Sequence, residues 1–272
     1  MIAFLAAIAE RSVAAFGLAL FCGQFVAHEI GYRLGRLRKR HASAEGESVG
    51  VVVGGMLGLL AFVLALTLSF SNTRFSERRA DTLSEANAIG TAWLRAKAIG
   101  SSRGDEIARL LEDYTRARAD FVRIGRDPTG IDALNQRANT LQSTMWGHVS
   151  SMIREHPDPV STSLMAALND VFDASMAMRF AFEMRLPPQL FWLLIAMSLL
   201  CMGAVGYQMG LKEKPVRALV AVLTLMWTIV IVDILDLAAA RLGNFRTDAA
   251  AYDWTLQGFQ GGVSIPPPPE ER

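Results

Sequence analysis

Two aspartates near the end of the last apolar stretch have the residue type and spacing that would best suit binding of a cation or a proton. Asp233 and Asp236 lie in the segment TIVIVDILDLAAARLGNFR, and side chains three positions apart share one face of a helix. Carboxylates at membrane depth are costly and often functional. The pair fits a cation or proton pathway, an ion pair, or the headgroup boundary where the span ends. We favour a structural role and expect Asp236 to pair with a membrane-proximal arginine, Arg74, Arg78 or Arg79.

The rest of the sequence holds no constellation of catalytic residues. It contains no glycine-rich phosphate loop, nucleophile elbow or paired-histidine zinc motif. Both cysteines, Cys22 and Cys201, lie inside apolar stretches, where we expect them to pack as small apolar side chains. We therefore predict that the protein is not an enzyme and holds no metal or cofactor. The net charge of +1 gives no reason to expect a nucleic-acid partner.

Four apolar stretches are each long enough to cross a bilayer, which takes about 20 residues. They cover residues 2–27, 49–70, 190–210 and 218–237. The first is interrupted by Glu10 and Arg11, which we place in an interfacial turn near the start of the helix; the alternative is that they face other helices. The predicted fold class is an all-α membrane protein with four transmembrane helices and a helical bundle inserted between the second and third.

Glycines four residues apart mark the second and third spans. Gly50, Gly54 and Gly58 share a face of the second span, and Gly206 and Gly210 repeat the spacing in the third. Such spacing lets two membrane helices approach closely, although it also arises by chance. We expect helix packing at these glycines, either within a subunit or between subunits.

The inserted segment, residues 71–188, is predicted to be a soluble four-helix bundle. Its apolar residues recur at helical spacing, and the fourth helix is expected to begin at Ser161 or Thr162. The segment is divided by breakers at Gly100, Gly125, Pro157 with Pro159, and Pro187 with Pro188. Because no breaker follows the second span, one continuous helix should leave the bilayer and enter water.

The domain organisation follows from these boundaries. Residues 1–70 form a first transmembrane hairpin, 71–188 the bundle, 189–237 a second hairpin, and 238–272 a proline-rich, partly disordered tail. Basic residues in the two short connections, from His28 to Ser48 and before the last span, favour the cytoplasm. The bundle and the tail are then expected outside the cytoplasm.

The junction after the second span carries a specific motif, SFSNTRFSERRADTLSEANAIGTAWLRA. Its most distinctive residues are Glu85, Asn87, Gly90 and Arg95. This run resembles the signature of the bestrophin-like domain family, a set of mostly bacterial membrane proteins. The segment HEIGYRLG at residues 28–35 is similar to the family pattern after the first span. The C-terminal motif around Leu235–Leu237 and Gly243 is weaker, because Ala238–Ala240 stand where the family usually has a proline.

The resemblance implies an architecture and, more distantly, an activity. Bestrophins are pentameric anion channels with four spans per subunit, so the resemblance implies a homo-oligomer in the lipid bilayer of a bacterial inner membrane and an anion as its cargo. The candidate pore or gating residues are Ser69, Phe70, Asn72, Arg74, Arg78 and Arg79. Bestrophins keep the helical domain in the cytoplasm, which conflicts with the orientation inferred from charge; we retain the latter.

A function of another class fits the same architecture. The protein would be a membrane-anchored sensor or scaffold whose bundle binds a ligand or a partner protein. It would need a separate output partner, because the predicted cytoplasmic loops are short. A pentamer favours the channel, whereas a dimer favours sensing or scaffolding.

Overall fold

The computed structural model of the chain describes residues 13–39, 46–184, 187–213, 216–241 and 245–264. Within these ranges the chain is all-helical and no residue lies in a strand, which confirms the predicted all-α class. The helices in chain order are α1 (Val13–Lys39), α2 (Gly46–Ala98), α3 (Ser102–Arg123), α4 (Pro128–Glu155), α5 (Pro159–Glu183), α6 (Pro188–Lys212), α7 (Arg217–Ala238) and α8 (Ala250–Gln260). Glu10, Arg11, Gly243 and the proline run after Ile265 lie outside the described residues.

Within the described residues, four stretches contain a helix long and apolar enough to cross a membrane, as the sequence predicts. They are Val13–Arg38, Ser48–Ala98, Pro159–Lys212, in which α5 and α6 are separate helices, and Arg217–Ala238. The second contains the junction at Phe70 without a break, because α2 is a single helix of 53 residues. No proline lies within α2 to remove a backbone hydrogen bond, so the helix continues where its sequence changes from apolar to polar.

The chain divides into two compact units. The first, here the apolar unit, comprises Met1–Phe75 with Arg185–Arg246, and the second, the bundle unit, comprises Ser76–Met184 with Thr247–Arg272. Helix α2 contributes its first part to the apolar unit and its second part to the bundle unit. Each unit is therefore discontinuous in sequence.

Helices α1 and α6 run side by side in the same direction at very short distance. A Cβ atom placed on Gly206 would lie 2.0 Å from the backbone oxygen of His28, and one on Gly31 would lie 2.0 Å from that of Gly203. Gly35 and Gly210 are equally close to the opposite backbone, since their Cβ atoms would lie 2.2 Å from a carbonyl oxygen. Only glycine permits this approach, and in a lipid environment such close packing drives helix association.

Helix α1 continues past Ala27, the predicted end of the first span, to Lys39. The close contacts of Gly31 and Gly35 lie in this extension, so the segment HEIGYRLG belongs to the packed helix rather than to a loop. One buried cluster joins all four apolar helices. It consists of Phe16, Leu20, Leu60, Leu64, Leu194, Ile195, Cys201, Ile231 and Ile234.

Capping aspartates set where α4 and α5 begin. Asp127 accepts hydrogen bonds from the backbone of Thr129 and Gly130, and Asp158 does the same for Val160 and Ser161. Each helix then has proline as its first residue, where the missing N–H costs nothing. Helix α5 therefore begins at Pro159, two residues before the predicted start at Ser161, because the expected breaker is the first residue of the helix.

Helix α8 lies in the segment predicted as a tail. It begins at Ala250 and packs in the bundle unit against α3. Phe259 of α8 stacks on Trp93 of α2 with ring centroids 4.7 Å apart, and Tyr252 is fully buried. The described residues 247–264 of the predicted tail are thus part of the bundle unit, whereas residues 238–241, 245 and 246 belong to the apolar unit.

We predict that Gly206→Ala destabilises the apolar unit strongly, because the new methyl group would overlap the His28 carbonyl and force α1 and α6 apart. The measurement is the fraction of detergent-solubilised protein that stays monodisperse after heating. Gly147→Ala in α4 is the matched control, since nothing lies within 4 Å of its Cβ position; it should gain roughly 0.5–1 kcal/mol of stability. Equal midpoints for Gly206→Ala and the unaltered protein would contradict the packing described here.

Candidate functional site along the second helix

Within the apolar unit, α2 has two faces of opposite character. One face packs against the other apolar helices through Val53, Leu60, Leu64, Thr67 and Ser71, which are all buried. The other face is exposed and is formed by small or short polar residues at helical spacing: Gly54, Gly58, Ala61, Ala65, Ser69 and Asn72. We call this second set the small-residue face.

The candidate pore residues are divided between these faces and their edges. Ser69 and Asn72 lie on the small-residue face. Phe70 is 42% exposed, and the guanidinium of Arg74 lies 4.9 Å from the centre of its ring, a cation–π contact. Arg78 is only 1% exposed, whereas Arg79 is exposed. Among the three arginines predicted at a pore mouth, Arg78 is thus placed inside the protein.

The glycines of α2 that were predicted to pack helices behave differently from Gly206 and Gly210 of α6, which pack closely against α1 as predicted. The Cβ position of Gly50 lies 2.9 Å from the side-chain nitrogen of Gln208, so this residue faces α6. No described atom lies within 4 Å of the Cβ positions of Gly54 and Gly58. Within one chain these two glycines pack against nothing described, and their role between subunits stays a prediction.

The two intramembrane acids differ in burial. Asp236 is 3% exposed, and Asp233 is half-buried. Both lie in the last two turns of α7, as the sequence suggests. The pairing of Asp236 with a membrane-proximal arginine stays a prediction.

A buried cluster of hydrogen bonds in the bundle unit centres on Glu85, a residue of the motif after the second span. Its carboxylate is fully buried and each oxygen accepts two hydrogen bonds. Oε1 accepts from Arg118 Nε at 2.7 Å and from the Tyr114 hydroxyl at 2.9 Å. Oε2 accepts from Arg118 Nη2 at 3.1 Å and from the Tyr252 hydroxyl at 2.5 Å. Glu85 therefore connects α2 to α3 and α8.

The burial of the cluster and the charge of Glu85 shift the pKa values of Tyr114, Tyr252 and Arg118. Burial and the nearby Glu85 charge both raise the pKa of Tyr114 and the pKa of Tyr252 well above the ordinary value. Burial alone would lower the pKa of Arg118, but the Glu85 charge outweighs it and the net shift is upward. The cluster thus consists of the Glu85–Arg118 ion pair and the neutral hydroxyl groups of Tyr114 and Tyr252. With its hydrogen bonds satisfied, it is suited to holding helices rather than to proton transfer.

The other motif residues fall into two groups. Arg95 donates from Nη1 to the backbone oxygen of Ser163 at 2.8 Å and so connects α2 to α5. Asn87 is exposed, and no described atom lies within 4 Å of the Cβ position of Gly90. Described contacts within the chain therefore explain the presence of Glu85 and Arg95 in the motif, but not that of Asn87 and Gly90.

Sequence reasoning missed the partners of Glu85, although one signal was available. Arg118 lies four residues after Tyr114 and three before Phe121, so it shares the apolar stripe of α3. An arginine in such a stripe requires a buried carboxylate. Tyr252 gave no comparable signal, because α8 was not predicted.

Comparison with known proteins gives one match. A model of the family described as Bestrophin-like domain matches residues 22–252, which includes most of both units and the motif around Glu85. No curated protein and no solved structure matches the chain.

We predict that Glu85→Gln destabilises the bundle unit by about 3–5 kcal/mol, because it leaves the Arg118 guanidinium buried without a counter-charge. Urea unfolding followed by circular dichroism measures the change. Glu106→Gln is the control, since Glu106 pairs with Arg109 on the exposed surface of α3 and should change stability little. Similar losses for the two variants would contradict a special role for Glu85.

A second prediction concerns alkaline pH. The folded pKa of Tyr252 is raised, so its contribution to stability is complete below about pH 10, where unfolded tyrosine is neutral, and is lost as the pH rises further. The unfolding midpoint of the unaltered protein should therefore fall more steeply above pH 10 than that of Tyr252→Phe. Parallel pH profiles for the two proteins would contradict the raised pKa.

Proposed function

We propose that this chain, which belongs to the bestrophin-like family, is a multi-pass membrane protein that assembles into a homo-oligomeric anion channel. In the proposed arrangement, the bundle is inserted between the second and third spans. The small-residue face of α2 lines the central axis.

The observation that carries the proposal is the small-residue face itself. The face runs from Gly54 to Asn72 without a large side chain, yet large apolar residues such as Leu59, Phe62 and Leu66 are exposed beside it. A helix surface that met only lipid would have no need to keep one face small. Small residues facing a common axis allow helices to approach closely and leave space along that axis.

Charge favours anions as the permeating species. Arg79 is exposed on α2 and lies seven residues after Asn72, so it is on the same side of the helix as the small-residue face. In a symmetric assembly each subunit would repeat this cation around the axis, which raises the local anion concentration. The exposed Asn87 and Gly90, unexplained by contacts within one chain, are further candidates for contact between subunits.

A sensor or scaffold is the second candidate, and the continuity of α2 favours it. A single helix of 53 residues belongs to both units, so a ligand or partner that moves the bundle helices has a direct mechanical route to the apolar unit. This function requires no conduction. It also requires a partner that supplies the output.

Chloride flux from liposomes tests the channel. Purified protein should form an oligomer larger than a dimer and release chloride, and Gly58→Trp should reduce the flux at least tenfold by filling the axis with indole rings. Leu225→Trp is the control: Leu225 is 50% exposed on α7, away from the small-residue face, and the flux should be unchanged. A monomer or dimer without flux would overturn the channel, and a larger oligomer without flux would favour the scaffold.

The orientation is tested separately. We propose a bacterial inner membrane with the bundle outside the cytoplasm, so a cysteine at the exposed position Ser143 of α4 should react with a membrane-impermeant thiol reagent added to intact spheroplasts. The background is Cys22→Ser, because Cys22 is exposed and Cys201 is buried. Labelling of Ser143→Cys only after lysis would place the bundle in the cytoplasm.

A further inference from the structure

A long groove opens on the surface of the apolar unit between α1, α2 and α6. Its volume is about 870 Å³, which lies within the range of sites that hold small organic molecules. The walls are almost entirely apolar, with Ile30 and Leu34 from α1, Val52 from α2, and Leu200 from α6. The close α1–α6 crossing at Gly31 and Gly203 also lines it.

The groove is apolar at one end and polar at the other. Ala27, Met56 and Leu199 line the apolar end, whereas Arg38 and Ser48 line the opposite one. Arg38 lies eleven positions after Ala27 in α1, which is about 16 Å at a rise of 1.5 Å per residue. That length is close to half of the hydrocarbon thickness of a bilayer, about 15 Å. The groove is therefore as long as the apolar depth of a single leaflet.

The polar end is cationic. Arg38 lines the groove, Arg36 is exposed on the same turn of α1, and Lys39 and Arg40 follow in the sequence. The groove can hold a hydrocarbon chain, and Arg38 at its end can contact an anionic head group. Basic pockets between membrane spans bind anionic lipid headgroups.

We propose that this groove binds an anionic phospholipid, with one acyl chain along the α1–α6 crossing and the phosphate group at Arg38 and Ser48. The lipid chain lies beside this close crossing, in the groove formed by α1, α2 and α6. Its occupancy is independent of whether the protein conducts ions.

Native mass spectrometry on the full chain tests the site. The protein is reconstituted into vesicles of equal phosphatidylglycerol and phosphatidylethanolamine, re-extracted in mild detergent, and scored for the ratio of the two retained lipids. The unaltered protein should retain phosphatidylglycerol preferentially. Arg38→Gln should lower that preference about fivefold, the equivalent of about 1 kcal/mol for one cation near the headgroups.

Arg36→Gln is the matched control, because Arg36 lies on the same helix and is exposed but does not line the groove. Its lipid preference should change less than twofold. Equal retention of the two lipids by the unaltered protein would overturn the proposal. So would equal losses for Arg36→Gln and Arg38→Gln, since a diffuse basic surface would then explain the binding.

A second pair of variants tests the apolar slot without touching charge. Ala204→Phe fills the groove and should lower the total retained phosphatidylglycerol at least threefold, whereas Ala196→Phe, exposed on the same helix but outside the groove, should not. Heat stability of both variants is measured on the same samples. Normal lipid retention by a folded Ala204→Phe would overturn the proposal, as would loss of oligomers with lipid unchanged, because a second copy of the chain would then occupy the groove.

Discussion

The bundle unit depends on one buried carboxylate. Glu85 accepts four hydrogen bonds from Tyr114, Arg118 and Tyr252, and these residues lie on two helices other than its own. A buried charge without partners would be prohibitively costly, so the helices can pack only in an arrangement that brings these donors together. The apolar contacts around the cluster stabilise many arrangements of similar helices. Because the buried Glu85 carboxylate must accept hydrogen bonds, the arrangement that supplies its four donors is favoured over the others.

The apolar unit is held by a different physical principle. In lipid, apolar side chains gain little by leaving their surroundings for one another, so helices associate through close backbone packing. The contacts of Gly31 and Gly206 across α1 and α6 meet this requirement. On the small-residue face of α2, no described atom outside the helix's own backbone lies within 4 Å of the Cβ positions of Gly54 and Gly58. This difference from the α1–α6 glycines is the basis of the homo-oligomer proposed above.

The sequence predicts the elements of this protein better than their contacts. Apolar runs and breakers indicate the helices, since the bilayer and the backbone each impose a strong local rule. Pro159 shows the limit of such rules. In the sequence it indicates a break, whereas in the structure it is the first residue of α5 and follows the capping residue Asp158. The partners of Glu85 lie 29 to 167 residues away along the chain, and no local pattern specifies contacts at such separations. The family resemblance includes Glu85 and HEIGYRLG, but the carboxylate cluster and the glycine crossing join residues far apart in the sequence.

The hydrogen bond from Tyr252 to Glu85 has a consequence for biosynthesis. Arg118 is made soon after Glu85, but Tyr252 emerges only after α6 and α7 have been synthesised. The bundle unit therefore remains incomplete until the last two apolar helices have been synthesised, since a long-range contact cannot form before its later partner exists. A chain truncated before α8 would leave one donor position of the Glu85 carboxylate open. In this way the order of synthesis ties the maturation of the bundle to that of the apolar unit.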